Sequence, residues 1–70
     1  MLRKNLADNV RLLRTKHRFS QDTLAELANV TQQQISFLEN ERLSNPKLLM
    51  VSKIAEVLGV TVNDLIYEQK

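Results

Sequence analysis

The 70-residue sequence predicts an all-α domain of five helices, on three observations. Leu2, Leu6, Val10, Leu13 and His17 recur at spacings of four, four, three and four, which is one stripe of an α-helix. A start signal then appears three times: Phe19-Ser20 ahead of Leu24, Val30-Thr31 ahead of Ile35, and Val60-Thr61 ahead of Leu65. Nothing reads as a strand, and a single glycine and a single proline exclude a turn-rich β fold.

The apolar stripe places the first helix over 2–17, ending before Phe19, with His17 as the last member of the core face. Each start signal sets an apolar N′ residue before a Ser or Thr N-cap and an apolar residue at N4, the hydrophobic staple. Those signals open helices over 21–28, 32–40 and 62–67. At Thr31 a full capping box is available, because Gln34 at N3 can reach back to the backbone N–H of the cap. A fourth start reads as Asn45 at the N-cap with Pro46 at N1, where the missing N–H costs nothing, and opens a helix over 46–58. No internal repeat, low-complexity tract or linker interrupts residues 1–70, which are read as one domain.

Composition excludes several kinds of chemistry. Without cysteine there is no disulfide and no thiolate metal site, and His17 alone supports neither a metal cluster nor a histidine-based triad. No pair of candidate acid, base or nucleophile converges, so the reading is no enzyme, no metal and no cofactor. The longest apolar run, Leu48 to Val51, is far too short to span a bilayer. Arg3, Lys4, Asn5, Asp8 and Asn9 break any signal-peptide core, so a soluble, cytoplasmic protein is expected. Charge is unevenly placed. Residues 1–18 carry six basic side chains against Asp8 alone, a net of +5, and the rest carry four against seven acids, a net of −3. A basic end on a near-neutral body suits a polyanion.

The stretch Gln32-Gln33-Gln34 carries the most information. Only Ala28 to Thr31 join the second and third helices, so the chain reverses sharply, and Asn29 is the residue there that best tolerates a positive φ. Two short helices across a tight turn describe a helix-turn-helix. With Ile35 and Leu38 facing the core, Gln34 falls beside the core face. Gln33, Ser36, Phe37 and Asn40 lie opposite, flanked by Gln32. That outer face holds amides, a hydroxyl and a phenyl ring but no charge, whereas a solvent-facing helix usually carries Lys and Glu. Glutamine can bond N6 and N7 of adenine together in the major groove.

The segments QDTLAELA (residues 21–28) and VTQQQISFLEN (residues 30–40) resemble the helix-turn-helix of the phage repressor and Cro-like family. The resemblance runs from Leu6 through Ile66 and takes in Asn45-Pro46 and the AEVLGV segment at 55–60. It implies a five-helix domain that binds double-stranded DNA as a homodimer on a pseudo-palindromic operator. By position, base reading would fall on Gln32, Gln33 and Phe37, with Ser36 close by. Gln21 would grip a phosphate and brace Gln32, and Asn40 would touch a second phosphate. Arg42, Ser44, Lys47 and Arg11 complete the expected phosphate set, and Arg14 with Glu39 match a structural ion pair between the first and third helices. The sequence departs from the family's glycines at three points: Arg18, Asn29 and Glu41 stand where glycine is common.

Leu12, Leu49, Met50, Val57 and Tyr67 are left over once the core faces are assigned. A surface made of some of them suggests a partner, and a two-fold contact from Leu49, Met50, Val57 and Tyr67 is the expected use. The rival reading is an antitoxin-like interaction module with DNA binding secondary.

Overall fold

Each helix begins and ends on a local signal that the sequence supplies. The computed structural model describes residues 3–42 and 46–67, giving α1 (Arg3–Lys16), α2 (Gln21–Ala28), α3 (Gln32–Glu39), α4 (Leu48–Leu58) and α5 (Val62–Ile66). Among the described residues no strand is present. Asn45, expected as an N-cap, and Ser44 lie outside the described residues.

Caps open α2, α3 and α5. Ser20 accepts from the Thr23 N–H at 3.0 Å, and Thr31 and Thr61 form reciprocal capping boxes with Gln34 and Asp64. Such caps stabilise a helix by about 1 kcal/mol each. The start of α4 differs from the expectation. Its first residue is Leu48, its N-cap is Lys47 without a side-chain bond, and Pro46 sits at N′ rather than N1. Pro46 and Val51 thus occupy N′ and N4, the same register as the three staples, and Pro46 is half-buried.

The helix ends share one device. Arg18, Asn29, Glu41 and Gly59 all have φ between 58° and 74°. After each, the next residue bonds back six to one: Phe19 to Arg14, Val30 to Ala25, Arg42 to Phe37 and Val60 to Ala55, at 2.8–3.0 Å. These are Schellman turns. A Cβ on Gly59 would meet nothing within 4 Å, so the demand at these positions is conformational rather than steric. Phe19, Val30 and Val60 close one helix and staple the next, and all three pack against the core. The turns after α2 and α4 are near copies: a left-handed residue, a valine and a threonine box follow Ala-Glu in both. This is a short repeat at 25–35 and 55–65, against the expectation of none. The shared element is a turn, and the helices after it carry unlike residues, so no residue pattern runs beyond it.

Packing places α3 against α2 and α1, α4 against α2, and α5 against α1 and α4, in a body of 25 × 23 × 19 Å. Leu6, Val10, Leu24, Ile35, Ile54 and Leu65 fill its centre. One expectation for α1 needs correction. His17 does not end the core stripe: it is exposed, stacks on Phe19 at 5.2 Å, and its Nε2 donates to the Leu58 carbonyl at 3.0 Å. The His17 N–H still bonds to the Leu13 carbonyl at 3.0 Å, but Arg18 turns left-handed directly after it, so the ring stands at the helix end beside Phe19. The buried polar residue of α1 is Asn9 instead. Its Nδ2 meets the carbonyls of Asp64, Leu65 and Tyr67 at 3.2, 2.8 and 2.7 Å, tying α1 to the end of α5.

Candidate nucleic-acid interface

The helices α2 and α3 meet across Asn29-Val30-Thr31, and the outer side of α3 is open to solvent at Gln32, Gln33, Gln34 and Asn40. Ser36 and Phe37 are half-buried and Ile35, Leu38 and Glu39 face inward. The three consecutive glutamines have three different environments. Gln34 is the capping residue: its Oε1 accepts from the Thr31 N–H at 2.9 Å. Gln32 donates through Nε2 to Gln21 Oε1 at 2.8 Å. Gln33 has no partner among the described residues and projects freely.

Behind this face lies a charged cluster. Glu39 is buried, and its carboxylate receives Arg14 Nε at 2.6 Å, Arg14 Nη2 at 3.1 Å and Gln21 Nε2 at 3.1 Å. Arg14 also donates to the Phe19 carbonyl at 2.8 Å, so one guanidinium joins α1, the turn before α2, and α3. Arg11 Nη2 donates to the Glu39 carbonyl at 2.6 Å. Together with Asn40, Glu41 and Arg42 N–H groups on Ser36, Leu38 and Phe37, this fills every carbonyl of the last turn of α3. A cation there also complements the negative end of the helix dipole.

Gln21, Gln32 and Glu39 are therefore brought together, with Arg14 and Arg11 behind them. Asn40 ends the same face and lies 3.4 Å from Ser36 Oγ. Arg42 and Lys47 are exposed and have no side-chain partner among the described residues. Among the described residues no group of His, Asp and Glu could hold a metal ion, and no helix is long and apolar enough to cross a membrane. Asn9 was missed by the sequence reading, although it stands three residues after Leu6 and four before Leu13, on the buried face.

Two short helices joined by a tight turn make a helix-turn-helix, and the helix-turn-helix family model matches residues 10–65. The chain belongs to the Cro/C1-type helix-turn-helix family. No curated protein matches the sequence. Among solved structures, a hypothetical transcription factor, NHTF, from Neisseria is 34% identical over 97% of this chain and 77% of its own, with a TM-score of 0.91. The restriction-modification controller protein C.AhdI from Aeromonas hydrophila is 26% identical over 91% of this chain and 96% of its own, TM-score 0.85. The master regulator for biofilm formation SinR, solved in complex with DNA, is 27% identical over 89% and 98%, TM-score 0.84. A hydroxypropylphosphonic acid epoxidase from S. wedmorenis, of which this chain covers 32% at 24% identity, shares the fold alone. The helix-turn-helix family fold of this chain is thus one used by controllers and repressors that regulate transcription.

Proposed function

We propose that the protein is a sequence-specific, non-catalytic DNA-binding regulator of transcription in the cytoplasm, a small repressor or controller. It acts as a homodimer on a pseudo-palindromic operator, with α3 in the major groove. The observation that carries this is the outer face of α3. It has no charge, yet Gln32 is held in place by Gln21 and Gln33 is left free. Solvent needs no such bracing; base edges do. In this reading Gln32, Gln33, Ser36 and Phe37 read bases, Phe37 against a thymine methyl. Gln21, Asn40, Arg42, Ser44 and Lys47 meet phosphates, and Arg11 adds the N–H groups that Glu39 does not use.

The dimer contact comes from the exposed apolar side chains Leu49, Tyr67 and Leu48, which are 67%, 64% and 68% exposed. Of the residues expected there, Met50 is excluded because it is 8% exposed and belongs to the core; Val57 packs against the core and serves at most as an edge. Methionine on the face of α4 shared with Val51 and Ile54 turns inward, which the apolar run 48–51 does not reveal.

Selection from random duplex DNA tests the proposal. The expected result is a consensus with two-fold symmetry and half-sites about one helical turn apart. Gln33→Ala should then weaken cognate binding by about 1–3 kcal/mol and random binding little. No consensus, or one without symmetry, refutes specific reading or dimerisation respectively.

A further inference from the structure

Four side chains form one line of hydrogen bonds from the interior to the surface of α3. Arg14 donates to Glu39, Gln21 Nε2 donates to Glu39 Oε1 at 3.1 Å, and Gln32 Nε2 donates to Gln21 Oε1 at 2.8 Å. Arg14 and the carboxylate have fixed polarity in this line, and the two amides take theirs from the carboxylate. Ionised and buried against Arg14, it accepts and has no hydrogen to give. Gln21 must therefore turn its nitrogen inward, and its oxygen then faces Gln32. A carbonyl oxygen accepts only, so Gln32 must turn its own nitrogen toward Gln21. The Gln32 oxygen is left as the outer end of the amide. Without this line, a terminal amide torsion is roughly two-fold and either end can point outward.

We infer that Glu39 is a positioning residue for base selection, setting through Gln21 which end of the Gln32 amide meets DNA. This rests on the reading of α3 as the helix in the major groove. With oxygen outermost, Gln32 accepts from the N6 amine of adenine while its remaining Nε2–H donates to N7. Guanine places the O6 acceptor where adenine has its amine, so two acceptors would face each other. Reversed, the same amide would meet O6 of guanine with a donor but set its oxygen against N7, so it would make one bond there and none with adenine. A buried carboxylate that never touches DNA thus chooses between the two purines.

The test compares duplexes that differ only by A·T or G·C at the base pair read by Gln32, identified as the pair whose preference Gln32→Ala removes. Glu39→Gln replaces the fixed acceptor with an amide that offers either end. Gln21→Met interrupts the line while leaving the Arg14–Glu39 pair in place, and decides the matter if Glu39→Gln does not fold. Wild-type protein should favour adenine by about 5- to 150-fold, the range of a good bidentate contact. Each variant should lose most of that preference while keeping its preferences at other pairs. A purely structural role for Glu39 and Gln21 predicts weaker binding to both duplexes alike. Gln21→Met protein that retains the full adenine preference overturns the inference, whatever its overall affinity. If Gln32→Ala changes no preference at any pair, the reading of α3 fails first, and the inference with it.

Discussion

Breaking the pair between Arg14 and Glu39 should be among the most damaging changes outside the apolar core, and the two single changes should differ. Arg14→Met leaves Glu39, whose side chain is 3% exposed, with Gln21 Nε2 as its remaining donor. An uncompensated buried charge of this kind costs about 3–5 kcal/mol. Glu39→Leu leaves Arg14, which is 17% exposed and still donates to the Phe19 carbonyl, so water and that bond satisfy part of the guanidinium. Its loss should be smaller, about 2–3 kcal/mol. A domain of this length is stable by about 4–10 kcal/mol, so Arg14→Met should lose between a third and all of its stability. The double variant replaces both charges with apolar groups and should recover at least about 1 kcal/mol relative to the sum of the singles. Urea unfolding followed by far-ultraviolet circular dichroism, with a common slope, gives all four stabilities. Losses that add to within about 0.5 kcal/mol would show that the two groups are uncoupled and refute the reasoning.

Three further outcomes follow. Arg18→Gly and Glu41→Gly should each stabilise by about 0.5–1 kcal/mol, because φ of 60° and 59° strains a side chain more than glycine's extra chain entropy costs. The two remove opposite charges, so opposite signs in thermal melts would mean that charge, not backbone, governs the site. Asn9→Ala should destabilise by about 1–3 kcal/mol through the three carbonyls it leaves behind; full stability in urea would mean that water replaces the amide. Arg14 is committed to Glu39, so two or three cations per subunit remain for phosphates, and dimer affinity should fall with salt at a log–log slope of about −4 to −5. A slope near zero across a salt titration would exclude DNA as the partner.

The fold was legible where the chain announces it locally. Three of the four later helices open on a staple and a hydroxyl cap, and those starts fall where the residues place them. The start of α4 differs because its N-cap, Lys47, offers no capping oxygen, so the only cues in the sequence are Asn45 as a cap and proline's preference for N1. His17 and Met50 went astray for a related reason: a period fixes directions only inside the helix, and an apolar run does not say which of its members faces in. Of the interface, the outer face of α3 could be read from the wheel. The Asn9 bonds to α5 and the Arg11 bond to the Glu39 carbonyl join residues 28 or more apart, which no local pattern encodes.

The distribution of cations connects fold and interface. The basic excess of the first 18 residues looks, as a sequence, like a surface for a polyanion. In the folded chain two of those arginines are turned to the rear of α3: Arg14 on its buried carboxylate and Arg11 on its last carbonyl. They hold the helix from behind and leave its front neutral. A neutral front gives little attraction to arbitrary DNA, since non-specific affinity comes almost wholly from phosphate neutralisation. Binding must then draw on contacts that depend on the base, and these lose least entropy when the side chain is already held. Gln32 is held and Gln33 is not. In the proposed reading the two neighbouring amides therefore take different roles: a held one that rejects the wrong purine, and an unbraced one that meets the pair beside it.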